Sequence, residues 1–538
     1  MRYLFGFLYV CALGVIPLVG CTEPTGDGGS GHPPLPSDLP EYEHSGPVGP
    51  SSLFEHGVAS GDPTADAVVI WTRVSPKTPE STNVVEVFWE MALDQNFQKR
   101  TAAGTATTDG ARDFTVKVDA QDLKWGRNYY YRFAAQGRWS PVGRTRLAPV
   151  GNQASELRFG VCLGSGFAWG YYHGFRHLAA RADLDAVLHL GDYYYENGNL
   201  PGVVREVEPP HEAVTLEDYR TRLSQARRDP DLQACHRQHP FIFVWDDHET
   251  ANDSWVGGAE NHDPATEGPW EDRVAAARQA LFEWIPIRDN PGQQFYRVSK
   301  YGDLADIVML DTRLEGRQEH FEVPAFSPDD AGLPDRIMSA TQEGWLQDQL
   351  TNGPGKWKIV GNQVAIGIWQ IGFDPLTYFN ADQWHGYPGS RGRVVRFLRD
   401  NDISNVVFVS GDWHTSWAMD VTVGDGTYNP ETQDGSVAVE FVAPAITSGP
   451  SAPSPILDLI ATQNPHVRYA ETMSRGYLVL DVQADKVQSD WYLLDGVEEG
   501  DEGNESLDAS RAVRDGETYV IEMQEPEAPQ EEPPPLAE

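Results

Sequence analysis

Ala186–Glu196, AVLHLGDYYYE, is the stretch from which the rest of the chain can be read. Its first residues form a short, continuous apolar run, the pattern of a strand buried on both faces. The run breaks at Gly191 and presents a carboxylate, Asp192, followed by Tyr193, Tyr194 and Tyr195. In open α/β sheets ligands gather at the carboxyl ends of the strands. Five further segments end in the same way: Leu157–Cys162 (LRFGVC), Phe241–Glu249 (FIFVWDDHE), Ile307–Arg313 (IVMLDTR), Trp357–Gln363 (WKIVGNQ) and Asn405–His414 (NVVFVSGDWH). One Asp after an apolar run is often a turn residue or a helix cap. Six such ends in one region predict a shared site.

Between these runs the spacing is helical. Leu216–Arg228 and Val274–Ile285 repeat apolar residues at helix intervals, with the arginines of 220–228 expected on a solvated face. Ser339 with Gln342 reads as a capping box ahead of Trp345, Leu346 and Leu350. The expectation is therefore an α/β domain over 155–497. Residues 51–147 read differently. Val68–Arg73, Val84–Glu90, Phe114–Val118 and Tyr129–Phe133 are short, β-branched and aromatic, with Gly, Pro and Asp turns between them. Val85, Val87 and Trp89 alternate with more polar neighbours, which predicts a small immunoglobulin- or fibronectin-like β-sandwich. No internal repeat of fixed period is present.

The ends of the chain address its location. Arg2, an apolar run over Leu4–Val19 and Leu18-Val19-Gly20-Cys21 read as a secretory signal ending in a lipobox-like sequence over 1–21. The run is short for a span of about 20 residues. The expectation is an exported protein, periplasmic or at the cell surface, held to a membrane by lipid on Cys21. Residues 22–50, rich in Gly, Pro and Ser, read as a flexible tether. The acidic, proline-rich segment 498–538 reads as a disordered, solvating tail. A formal net charge of −39 argues against nucleic-acid binding, which needs a basic face. With Cys11 removed and Cys21 acylated, Cys162 and Cys235 remain, either as a disulfide or with Cys162 as a metal thiolate.

Pooling the polar strand ends gives Cys162, Asp192, Tyr195, Asp246, Asp247, His248, Glu249, Asn252, Asp412 and His414. So many carboxylates in one crevice need cations to neutralise them. The donors are mixed: Cys and His suit a transition metal, Asp and Asn oxygens a hard ion such as Ca²⁺ or Mn²⁺. Such a cluster clamps a phosphoryl group and lowers the pKa of a bound water, so phosphoester hydrolysis is the natural chemistry. No G-x-S-x-G elbow or H-E-x-x-H helix supports another hydrolase.

Phe54–Val74, FEHGVASGDPTADAVVIWTRV, resembles the N-terminal domain of the PhoD-like (D-type) alkaline phosphatases. FGVCLG, GDYYYE, VWDDHE with Asn252, LDTR, GNQV, SGDWH and NPH with RGYLVLDV (Asn464–Val482) resemble the catalytic domain, in the family's order. The resemblance implies a metallophosphoesterase fold, a β-sheet sandwich flanked by helices, and phosphomonoesterase or phosphodiesterase activity, with Fe³⁺ and two Ca²⁺ ions. It implies Cys162, Asp192, Tyr195 and His414 as iron ligands with Asp192 bridging, and Asp412 and Asn252 on the calcium side. Asp247 is a further candidate ligand and His248 a candidate acid for the leaving oxygen. Arg313 and Asn362 are candidates for binding phosphate oxygens, Arg313 equally for pairing with a structural carboxylate. His466 reads as structural, and Cys235 carries no chemical role. Other readings are a phosphodiesterase or phospholipase D-like hydrolase, and a non-catalytic surface protein with structural metals. The N-terminus departs from the twin-arginine signal of many members, having only Arg2.

Overall fold

A computed structural model of the chain describes residues 36–76, 84–124, 127–320, 325–326, 333–373, 376–424, 427–449, 460, 462–530 and 532–538. The signal segment 1–21, with Cys21, and the first part of the tether lie outside the described residues.

Residues 36–538 are organised on two large sheets. The first has ten strands in the order Ile521–Met523, Glu505–Arg514, Lys486–Leu494, Gly476–Gln483, Glu156–Cys162, Ala186–His189, Pro240–Phe243, Val58–Gly61, Val68–Arg73 and Thr115–Ala120. The second has seven: Arg297–Tyr301, Ala305–Met309, Trp357–Asn362, Val406–Ser410, Ser436–Val442, Ser416–Thr422 and Val467–Glu471. The six apolar runs form the parallel centres of the two sheets, three in each. Parallel pairing carries their carboxyl ends to one edge. Strand alternation then divides their side chains. Ile307, Met309, Ile359, Val407 and Val409 share a core with Phe159, Val161, Leu188 and Ile242. Val308, Val360, Val406 and Phe408 face Leu346, Leu350, Val394 and Leu398 of the helices Ala340–Asn352 and Pro388–Asp400. Ser339 caps the first of these helices by accepting from Gln342 N, but the Gln342 side chain bonds the backbone of Asp311 instead of closing the box.

The β-sandwich is present but not separate. Arg100–Thr108, Val85–Ala92 and Asn128–Ala135, with two short strands, form one layer. Its core side chains meet Val58, Val68, Ile70 and Val116 of the other layer. That other layer is the edge of the ten-stranded sheet, because Ser60 and Gly61 pair in parallel with Pro240 and Phe241. A Cβ on Gly61 would lie 2.4 Å from the Pro286 carbonyl oxygen, so only glycine admits this approach.

Three expectations are corrected. Phe88 and Glu90 are buried along with Val85 and Val87, because the outer face of their strand is covered. Tyr42 packs on Phe88 and Trp139, and Glu90 pairs with Arg100 and Arg132. The tether is thus bound from Tyr42 onward, where Tyr42 Oη accepts from Gly137 N and Gly49 N donates to Gln136 O. The tail is also ordered where a disordered one was expected. Glu505–Arg514 extends the sheet with Ala509, Ala512 and Val513 buried. Its acids find partners in the fold: Arg181 pairs with Glu505, Lys356 with Asp515 and Lys486 with Glu527. The last residues cross to the sandwich, where Tyr130 Oη donates to Pro535 O and Gln238 bonds both N and O of Ala537. On the way they meet Glu156 and Arg158, at the start of a strand whose other end leads to the site.

Candidate metal centre

The site begins with a forced turn. Gly191 has φ 110°, and a Cβ there would lie 2.4 Å from Asp246 Cβ, so glycine lets the two strand ends touch. Asp192, Asp412 and His414 follow with φ 54°, 62° and 56°. Left-handed backbone is uncommon outside glycine, Asp and His being among the residues that adopt it most readily, and it concentrates at functional sites. Glu249 locks the turn. Its Oε2 accepts from Asp192 N (3.2 Å) and Asp246 N (2.7 Å), its Oε1 from Tyr193 N (2.6 Å). Burial and the Asp192 charge push its pKa up to about 8.

Two ligand groups share this pocket. Asp192, Asp247 and His248 each offer an atom within 4.8 Å of the others, as do Asp246, Asp247 and Asp412. Asp247 belongs to both. Asp192 Oδ1 and Asp246 Oδ2 are buried without any hydrogen-bond partner. Burial and like charges hold Asp246 and Asp412 well above the usual carboxylate range, against the pull of Arg313. Unpartnered carboxylate oxygens in a crowd of like charge fit a bound cation.

On the other side of Asp192, Tyr195 Oη donates to Asp192 Oδ2 at 2.8 Å and lies 2.9 Å from His414 Nε2. His414 Nδ1 is 2.8 Å from the Gly449 carbonyl oxygen, which assigns the proton to Nδ1 and leaves the Nε2 lone pair facing Asp192 and Tyr195. A backbone carbonyl holding the far nitrogen is the usual support of a metal-ligating histidine. Burial and the Asp192 charge keep the phenol protonated here.

Not every predicted residue arrives. Cys162 is buried among apolar side chains and joins neither ligand group. Gly160, on the same strand face, looks toward Leu178 and Leu184, so Cys162 two residues on also faces the helix layer. It is a free thiol, as is Cys235, and burial raises its pKa. Asn362 is fully buried and spent: Nδ2 donates to Val364 O and Oδ1 accepts from Trp384 Nε1. Arg313 is also fully buried, with Nε on Asp246 (2.5 Å), Nη1 on Asp382 (2.8 Å) and Nη2 on Asp412 (2.6 Å). It binds carboxylates rather than presenting a free fork to a substrate. Asn252 sits at the rim, its backbone N donating to Glu196 Oε1 and its amide to Glu260.

Comparison with known proteins places this geometry. The profile of PhoD-like phosphatases matches residues 159–491, and that of their N-terminal domain residues 45–149. The chain belongs to the PhoD-like phosphatase family. It is 34% identical over 466 residues to alkaline phosphatase D of Bacillus subtilis (strain 168), covering 83% of this chain and 78% of that one. A solved structure of PhoD superposes with a TM-score of 0.81 at 32% identity, over 90% of this chain and 94% of that one. A purple acid phosphatase from yellow lupin (Lupinus luteus) seeds shares the fold alone, with a TM-score of 0.56 at 14% identity over 85% and 73% of the two chains. As a PhoD-like phosphatase the chain is a phosphoric ester hydrolase with a metal-binding centre.

Three supports of this phosphatase site escaped the sequence reading. Glu196, fully buried, accepts from Asn252 N and lies 2.7 Å from His248 Nδ1. Burial opposes the charge on His248, but Glu196, Asp247 and Asp192 raise its pKa well above the usual histidine value. Arg222, expected on a solvated face, is buried and donates to the carbonyls of Tyr195, Asn197, Glu208, Pro209 and His211, pinning the loop that follows the site. Asp382 receives both Arg313 and Arg317 and joins Asp253 and His320 in a third acidic group. Asp382 and His320 lie off the strand ends, where no pattern in the sequence marks them. The final Glu of GDYYYE was a signal for Glu196 that strand-end reasoning had no use for.

Proposed function

We propose that this PhoD-like phosphatase hydrolyses phosphomonoesters at alkaline pH, outside the cytoplasm, from a lipid anchor on Cys21. The reading rests on the buried, unpartnered Asp192 Oδ1 and Asp246 Oδ2 beside a phenol and an imidazole lone pair. Asp192, Tyr195 and His414 would hold a ferric ion, and Asp246, Asp247 and Asp412, with Asn252 at the rim, would hold calcium. These ions supply Lewis acidity for a phosphoryl group and a hydroxide nucleophile.

The chain's own groups do the rest. Gly449 O fixes the His414 tautomer. Tyr195, whose Oη is aimed at Asp192 Oδ2, would hold the ferric ion as a phenolate. Glu196 holds His248 by Nδ1, so that Nε2–H is the group left to protonate the leaving oxygen. Arg313 keeps Asp246 and Asp412 apart from one another's charge and in register.

The test compares rates on nitrophenyl phosphate and bis(nitrophenyl) phosphate, before and after chelation. The monoester is expected to be the faster substrate and chelation to abolish turnover. A strong diester preference would overturn the monoester reading, and full activity in metal-free protein would overturn the metal chemistry. Cys21→Ser is expected to shift the protein from the membrane to the soluble fraction.

A further inference from the structure

Among the described residues, most cations around the site are spent. Arg313 is saturated by Asp246, Asp382 and Asp412, Arg317 pairs with Asp382, Arg205 with Asp229, and Arg222 is taken up by backbone carbonyls. Arg475, the first residue of RGYLVLDV, is different. Its Nη1 donates to Met473 O at 3.0 Å and its Nε to Thr447 O at 3.4 Å. Among the described residues no carboxylate lies in ion-pair range of it, and Nη2 is neither hydrogen-bonded nor among the buried unpartnered atoms, so it opens to solvent. The backbone on both sides is fixed, Gly476 N donating to Ala445 O and Leu494 N to Arg475 O.

Its position connects it to the centre. Nη2 lies 3.7 Å from where a Cβ on Gly449 would stand, and Gly449 is exposed. The Gly449 carbonyl holds His414 Nδ1, while Ser448 Oγ donates to Tyr195 Oη at 2.7 Å. Segment 447–449 therefore separates the guanidinium from the Tyr195–His414 side of the cluster by the width of one chain. Burial lowers the Arg475 pKa although Glu471 and Glu498 oppose it, as expected of a half-buried cation without a contact counter-ion. In a chain of net charge −39, such a cation is a local exception.

We propose that Arg475 is a specificity-determining residue that binds a second anionic group of the substrate, a phosphate or carboxylate beyond the scissile phosphorus. With Nε and Nη1 tied to carbonyls, Nη2 keeps both of its in-plane N–H donors open to such an oxyanion. The preferred substrates are then phosphate esters whose leaving group is itself anionic. This rests on the phosphoester site proposed above.

The test is calorimetric binding of inorganic pyrophosphate and of inorganic phosphate to the metal-loaded protein, which requires no turnover. Wild type is expected to bind pyrophosphate at least tenfold more tightly than phosphate. Arg475→Ala should reduce that ratio about tenfold and Arg475→Lys should restore part of it. Arg475→Gln keeps a donor for Met473 O without the charge, and is expected to lose the ratio while melting within a few degrees of wild type. A wild-type ratio near one, or a ratio unchanged in Arg475→Gln, overturns the proposal. Nitrophenyl phosphate turnover is read separately: its absence in wild type counts against the proposed function, while the binding ratio still reports on Arg475.

Discussion

The two ends of the strand Glu156–Cys162 treat charge in opposite ways. At its start Arg158 is surrounded by Asp183 (2.5 Å), Asp481 (2.6 Å) and Glu156 (2.9 Å), and it also donates to the Glu527 carbonyl of the C-terminal segment. Among the described residues, none of these acids keeps a buried oxygen without a partner. Past the strand's other end, Asp192 and Asp246 keep buried oxygens without a partner, and their neighbours add like charge. Both regions are buried and acidic. The difference is that the first closes its hydrogen bonds within the chain, whereas the second leaves them open in the direction of a bound cation. Burial and acidity do not by themselves mark a site; unpaired acceptors at left-handed strand ends do.

The largest effect should come from the open end. Asp192→Asn is expected to lower kcat/KM roughly a thousandfold, several kcal/mol of transition-state stabilisation. In metal-free protein the same change should not lower the melting temperature, since it removes a charge that repels its neighbours. Activity within tenfold of wild type would break the comparison. The closed end predicts the reverse. Arg158→Met leaves buried carboxylates uncompensated and should cost about 3 kcal/mol of stability, with kcat of the folded protein unchanged. Urea unfolding checks it, and a loss below about 1 kcal/mol would show that this end is not the clamp described.

The contrast also explains what the sequence could reveal. The six apolar runs and their polar ends were legible because a parallel strand buried on both faces leaves a continuous signal, and Asp192, Asp247, Tyr195, Asp412 and His414 sit on those ends. Cys162 looked equally well placed. It differs only in the face of the strand it occupies, which periodicity fixes relative to Gly160 but not relative to the site. Arg313 takes the second of its two expected roles, pairing with carboxylates, and the Asn362 amide is taken up as well, by partners remote in sequence, Asp382 and Trp384 among them. The tail was misread for a related reason. Its composition is that of a disordered segment, and only the waiting edge strand Lys486–Leu494 and cations such as Lys486 and Arg181 give it a structure.

A smaller effect tests whether the open end is organised beyond its ligands. Glu196→Gln keeps the volume and a partner for Asn252 N but removes the carboxylate at His248 Nδ1. Loss of such a supporting partner typically costs 10–100-fold. If His248 protonates the leaving oxygen, the loss should grow as the leaving group becomes more basic across a series of substituted phenyl phosphates. A uniform loss across the series would assign Glu196 to folding alone.

The smallest effect concerns groups barred from charge altogether. Burial, aided by Arg73, lowers the pKa of His56 to about 2; burial alone takes His189 to about 3, and burial with Arg144 takes His239 to about 3. Each is neutral in the fold. Below about pH 6.5 the unfolded chain binds protons that the native state refuses, so stability falls as pH falls, by about 1.4 kcal/mol per pH unit for each such histidine. Glu249 works the other way, because its raised pKa lets the native state hold a proton that the unfolded chain releases. The net slope therefore mixes signs, but a difference between two proteins does not. His56→Gln, which can keep a hydrogen bond to Ser224, removes one proton from the balance. Between about pH 4 and 6 its unfolding free energy should depend on pH less steeply than that of wild type, by about 1.4 kcal/mol per unit. Parallel curves would mean that His56 does charge inside the fold, and that the Arg73 and Arg227 guanidiniums beside it do not exclude a third cation.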